Sequence, residues 1–309
     1  MRAWAGDWQG RTGTYTDRQG RTRTGTEDET YVSADRFRIH GLSVRNRNAG
    51  LGAPIVIVGD KKLGTEFIPE GSAATVFLRL EGGLQDMEAD GLLGQVEIYS
   101  AFMRDHIDVA GHKIPLETDL TTHIVYALNN PIYWQLQKLL FRLGQAPFKP
   151  GIYPAQPYQA GKVPLLFVHG TMSSPVWWAE MWNTLQGDPV LRTKYQFWFY
   201  LYDSAKPVAQ SAAHLRESIE TMAPDNPAML ALAEIPVTPP IKAHLIISVK
   251  GDAVPPDGDD GVVKYTSAHI EGVESELVVR SKHSCQGKPA TIEEVRRILL
   301  LHLQQLAPK

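Results

Sequence analysis

The chain has 309 residues, 43% hydrophobic and 21% charged, which is enough apolar material for one large or two ordinary domains and excludes a disordered or fibrous protein. Its formal net charge of −3 leaves no surplus of Lys and Arg to neutralise phosphates, so nucleic acid is not expected as a partner. The single cysteine, Cys285, excludes an internal disulfide and a multi-cysteine zinc site, and no run reaches the ~18 apolar residues of a transmembrane segment.

Residues 1–34 are rich in Gly, Thr, Arg and Asp with almost no aliphatic side chains, a composition that predicts a mobile tail. Strand-type alternation then runs through Arg36–Val44, Ile55–Val58, Thr75–Leu80 and Val96–Tyr99, punctuated by turns at Gly50–Gly52 and Gly82–Gly83. This predicts an antiparallel β-rich region over 35–160. Within it, Asn130 as N-cap, Pro131 at the first helical position and Gly144 after the last turn bracket an amphipathic helix, Ile132–Leu143, expected to dock on the core.

After the Pro- and Gly-punctuated stretch Pro147–Lys162 the texture becomes that of an α/β unit over 161–309, with apolar strand runs alternating with helical patterns. Strands are predicted at Val163–Val168, Tyr195–Tyr202, Ala243–Val249 and Glu274–Val279. Helices are predicted from Ser174-Pro175 through Leu185 and over Val208–Ile219, with a final helix opened by a Thr291/Glu294 capping box. The tryptophans Trp177, Trp178 and Trp182 read chiefly as core.

Three segments carry candidate chemistry. His169-Gly170-Thr171 closes a buried strand and precedes a Pro-started helix, so a backbone N–H after the glycine could meet a developing negative oxygen. Asp259-Asp260-Gly261-Val262-Val263 is an acidic turn after a strand, and Glu276-Leu-Val-Val-Arg280-Ser-Lys-His283 sets a histidine between a strand and the last helix. A carboxylate beside such a histidine would fix its tautomer and stabilise its imidazolium. In this order the three segments resemble the oxyanion loop, the acid loop and the base of bacterial α/β-hydrolases of lipase or esterase type, over Arg36–Leu306.

The resemblance implies an α/β-hydrolase-like parallel sheet with an N-terminal β-rich region. It also implies acyl transfer from carboxylic esters to water, with Asp260 orienting His283 and the N–H of Thr171, after Gly170, in the oxyanion hole. Ester or lipid-like small molecules would be the substrates, no cofactor is needed, and the compartment would be bacterial cytoplasm or cell envelope.

The chain departs from the pattern at the nucleophile. No serine has glycine two residues before and two residues after it; Ser43 has Gly41 but Arg45. Only Glu220–Lys242 separates the Val208–Ile219 helix from the next strand, too short for an elbow strand, its helix, another strand and a cap. The expectation is a shortened sheet, lacking a segment near Ile219–Met222, in which the strands Val163–Val168 and Ala243–Val249 become direct neighbours, with marginal stability and self-association. The nucleophile is unassigned; Cys285 has the trailing Gly287, but His283 stands where the leading glycine belongs and is poorly placed as its base. The alternative function is a catalytically silent relative binding an apolar ligand or another chain.

Asp252, Asp257, Asp259 and Asp260 lack EF-hand spacing, so a solvated acidic loop is expected rather than a calcium site. No H-E-x-x-H helix, Gly-x-Gly-x-x-Gly or Walker loop occurs, which removes the usual zinc-hydrolase and nucleotide-binding readings.

Overall fold

A computed structural model describes residues 14–16, 22–24, 30–58, 71–81, 93–131, 134–135, 150–156, 158–171, 173–221 and 242–306. The chain divides into two compact units. The first takes Met1–Leu139, Gln145–Lys149 and Tyr153–Tyr158; the second takes Leu140–Gly144, Pro150–Ile152 and Gln159–Lys309.

In the first unit, β1 (Thr14–Thr16) pairs antiparallel with β2 (Thr22–Thr24). A four-stranded antiparallel sheet follows, ordered β3 (Thr30–Ser33), β5 (Ala53–Val58), β6 (Gly71–Glu81), β7 (Leu93–Ser100). Val and Ile make up most of β5 because branched side chains fit a half-buried pleated surface. Gly52 enters β5 at φ +91°, where an added Cβ would lie 2.6 Å from the Val76 carbonyl oxygen, so only glycine serves there. Smaller ladders join β4 (Arg47–Asn48) to β10 (Thr118–Asp119) and β8 (His106–Val109) to β9 (His112–Pro115).

The helix α1 (Thr122–Leu128) follows β10 and buries His123 and Ile124. Its start is organised by Asp119, which accepts from the N–H groups of Thr121 and Thr122 at 3.0 Å and from Arg45 Nε at 2.8 Å.

Two expectations for this unit need correction. Arg36–Val44 is not a strand: Ala34–Arg36 form a 3₁₀ turn in which the Ser33 hydroxyl accepts from the Asp35 N–H, and the chain then runs without ladder partners to Arg47. The expected mobile tail also ends early, since Thr30–Ser33 pair with Ile55–Val58, where Tyr31 and Val32 supply the side chains a sheet can use. The Gly82–Gly83 turn, the Ile132–Leu143 helix except for Trp134 and Gln135, and most of residues 1–29 lie outside the described residues.

The second unit is α/β. A three-stranded sheet is ordered β11 (Gly151–Pro154), β13 (Tyr195–Leu201), β12 (Val163–Val168). β12 and β13 are parallel, with Val163 opposite Tyr195 and Val168 opposite Tyr200. Their crossover holds a 3₁₀ turn at Pro175–Trp178, then α2 (Ala179–Gly187) and α3 (Pro189–Lys194). All seven residues of β13 are buried, with Phe167, Phe197 and Phe199 stacked across the two strands. Trp182 is buried edge-on to Phe199 and Trp178 lies against Phe167, whereas Trp177 is 44% exposed. After β13 comes α4 (Val208–Thr221).

A second parallel pair joins β14 (His244–Val249) to β15 (Ser275–Arg280), with α5 (Tyr265–Ala268) in their connection and α6 (Pro289–Leu306) after them. α6 is tied to both strand pairs. The Tyr195 hydroxyl donates to the Leu299 carbonyl at 3.0 Å, and Arg296 Nε donates to Asp188 at 2.7 Å. On the other side, Arg297 donates to the Ser275 hydroxyl at 3.1 Å.

The unit is therefore mixed α/β with more than one sheet, and the expected single shortened sheet is not what forms. β12 and β14 are not neighbours; among the described residues each is bonded to a strand on one side only. Each observed parallel pair is joined by its own crossover, β12 to β13 through α2 and α3 and β14 to β15 through α5. Residues 222–241, between α4 and β14, lie outside the described residues. The capping box is also absent, because Pro289 at the first helical turn starts α6 earlier and leaves Thr291 buried inside it. Glu294 pairs instead with Arg297 and accepts from the Ser275 hydroxyl.

Candidate active site

The C-terminal ends of β14 and β15 build the site. Beyond Val249, the loop folds back so that the Lys250 N–H donates to the Asp259 carbonyl at 2.7 Å and the Tyr265 N–H to the Gly258 carbonyl at 3.0 Å. Gly261, at φ +93°, turns the chain tightly enough for the Asp260 carboxylate to accept from two following amides. Its Oδ1 receives the Val262 N–H at 2.8 Å and the Val263 N–H at 2.7 Å. Its Oδ2 receives the Ser248 hydroxyl at 3.2 Å and lies 2.8 Å from His283 Nδ1.

His283 is held twice. Its backbone N–H donates to the Asp260 carbonyl at 3.0 Å, while the Ser281 N–H donates to the Val249 carbonyl at 3.2 Å and fixes the exit of β15. The structure thus brings Asp260 and His283 together at the ends of β14 and β15.

The two groups differ in exposure: the Asp260 side chain is 8% exposed and that of His283 56%. Burial pushes the Asp260 carboxyl up, but the Val263 amide, the His283 ring and the Val262 amide together outweigh it and hold the group below its ordinary value. An ionised Asp260 oxygen facing Nδ1 places the ring proton on Nδ1 and leaves the lone pair on Nε2. Nε2 has no hydrogen-bond partner among the described residues.

The other predicted site residues lie on the loop after β12. The Tyr202 hydroxyl donates to the His169 carbonyl at 2.7 Å and its ring stacks on the His169 imidazole at 4.3 Å. The His169 ring is buried, with Nδ1 3.0 Å from the Gly170 carbonyl, and desolvation pushes its titration down. A Cβ at Gly170 would meet no atom within 4 Å, so no close approach demands glycine there. The Thr171 N–H donates to no acceptor among the described residues, as an oxyanion donor would. Gly170 and Thr171 make no hydrogen bond to Asp260 or His283, and β12 shares no ladder with β14.

Cys285 is half-buried, and its carbonyl accepts the Lys288 N–H at 2.9 Å in the turn before α6. Asp259 and Asp260 are engaged by amide donors, and no group of three or more His, Cys, Asp or Glu among the described residues is arranged to hold a metal ion.

Sequence reasoning missed two features. Ser248 supports Asp260, and its signal was a lone hydroxyl in the apolar run His244–Val249. A second carboxylate–imidazole pair stands at the start of β15: Glu276 Oε2 lies 2.6 Å from His269 Nδ1, and its other oxygen accepts the Tyr265 hydroxyl. The bond to Glu276 raises the His269 titration, and Glu271 flanks its Nε2 at 3.4 Å. With both ring nitrogens facing carboxylates, His269 ties α5 to β15, whereas His283 keeps one nitrogen open.

No protein-family model, curated protein or solved structure matches the chain.

Proposed function

We propose that the chain is a relative of the α/β-hydrolase carboxylic ester hydrolases that keeps the acid and base but not the serine elbow. On this reading Asp260 and His283 form a base unit for acyl transfer from esters to water. One observation carries it: a buried, ionised Asp260 held by three donors lies 2.8 Å from His283 Nδ1, while Nε2 is open to a reacting group. This is the arrangement that general-base catalysis requires.

Asp260 keeps Nδ1 protonated and offsets the positive charge that develops when Nε2 takes a proton. The free Thr171 N–H is the donor offered to a developing oxyanion once an ester occupies the site. Without a serine alkoxide the acyl group passes finally to water with no acyl-serine stage, so turnover is slow.

The test is hydrolysis of a p-nitrophenyl ester by purified protein, together with a fluorophosphonate probe. The reading expects weak hydrolysis that His283→Gln abolishes, and no serine labelling. Stoichiometric labelling of Ser173, Ser174 or another serine would overturn the missing-nucleophile part, and hydrolysis indifferent to His283→Gln would overturn the base assignment.

A further inference from the structure

We infer that His283 is itself an acyl acceptor, forming a transient Nε2-acyl-imidazole with short-chain aryl esters and thioesters. The inference rests on the base reading above but assigns a different role to Nε2. Three features support it. The side chain is 56% exposed, so an ester carbonyl can reach the ring. Nδ1 is committed to Asp260 at 2.8 Å, which directs the lone pair to Nε2. No described serine or cysteine hydrogen-bonds to Nε2, so no better nucleophile intervenes.

The step balances without a further reagent. The Nε2 lone pair forms a bond to the carbonyl carbon, whose π electrons move to oxygen. Collapse of that adduct breaks the carbon–oxygen or carbon–sulfur bond, and the leaving aryl oxide or thiolate takes the electron pair. The product on the protein is an N-acylimidazolium, its Nδ1–H still donated to Asp260 and its positive charge facing the Asp260 carboxylate. Water then adds to the acyl carbon and gives its proton to solvent, and the carbon–nitrogen bond breaks with its electrons returning to Nε2.

The substrate class follows from the same adduct. Imidazole is expelled in preference to an alkoxide, so alkyl esters return to starting material, whereas aryl oxides and thiolates leave first.

The experiment uses the full chain carrying Cys285→Ala, which removes the neighbouring thiol as a competing acyl acceptor. Protein in excess over p-nitrophenyl acetate is acid-quenched at intervals, and intact mass with peptide mapping locates the acetyl group. Expected is one acetyl on His283, released by hydroxylamine, absent in His283→Gln and formed about tenfold more slowly in Asp260→Asn, with ethyl acetate giving none. A urea unfolding curve of His283→Gln beside the wild type separates loss of the chemistry from loss of the fold, since the ring also bonds Asp260.

Hydrolysis that depends on His283 without an acetyl on that residue would overturn the acyl-acceptor role and leave the base reading standing. Hydrolysis unchanged in His283→Gln would overturn both. An acetyl on His283 forming equally fast in Asp260→Asn would remove the dyad from the step and overturn the inference.

Discussion

Asp260 joins three parts of the second unit, the exit of β14, the turn at Gly261 and the base His283. Replacing it by alanine strands two amide donors and a serine hydroxyl, a loss of about 1–3 kcal/mol, measurable by urea unfolding of Asp260→Ala. The pH dependence has a definite sign. Its folded-state value lies below the ordinary 3.8, so the unfolded chain binds the proton more tightly. The stabilisation is complete above about 3.8 and fades as pH falls through the lower folded value. Urea midpoints taken from pH 6 to pH 3 should show this acid loss in the wild type and less of it in Asp260→Asn.

The sequence paired Asp260 and His283 because each follows an apolar strand run, Asp260 by eleven residues and His283 by three, in acid-then-base order. Ser248 and the His269–Glu276 pair were not, because their roles depend on which strand face and which helix they meet.

At the scale of elements, apolar alternation located β5, β6, β7, β12, β13, β14 and β15 to within about four residues at either end, the accuracy expected of pattern reading. It failed where local hydrogen bonding decides, as in the 3₁₀ turn at Ala34–Arg36 and the early start of α6 at Pro289. It also missed α1, a short helix organised by Asp119 rather than by its own pattern.

α1 carries a second acid sensitivity. His123 is fully buried, and desolvation lowers its titration to about 3 from an ordinary 6.5. Unfolding lets it charge, so the stability it contributes is complete above about 6.5 and is lost as pH falls toward 3, at roughly 1.4 kcal/mol per pH unit. His123→Leu should flatten this part of the pH-stability curve; an unchanged slope would mean the ring is not buried neutral.

β12 makes a different prediction. Its sequence, Val163–Val168, is apolar on both faces like a central strand, yet among the described residues it is bonded only to β13. Hydrogen exchange should therefore be faster in β12 than in β13, which has a strand on each side. Equal protection would mean that β12 is covered.

For the whole molecule, β12 and β14 each have one side without a ladder partner among the described residues, an edge of the kind that invites association. Val168 at the end of β12 is 42% exposed. Light scattering after size exclusion should show concentration-dependent self-association, reduced by Val168→Lys, and thermal unfolding should begin below ~65 °C. A monomer at every concentration with a cooperative melt above that temperature would mean that these edges are covered.

The separation of β12 and β14 could not be read from the sequence, because it depends on which strands are joined by a crossover. A strand's hydrophobic pattern does not name its neighbour.

The account's central claim is that Asp260 and His283 act together on an ester. Its most direct test is the second-order rate of p-nitrophenyl acetate hydrolysis at neutral pH for wild type, His283→Gln and Asp260→Asn, corrected for the buffer rate. The account predicts at least a tenfold loss in the first variant, a transition-state difference of about 1.4 kcal/mol or more, and a smaller loss in the second. Equal rates for all three proteins would contradict it.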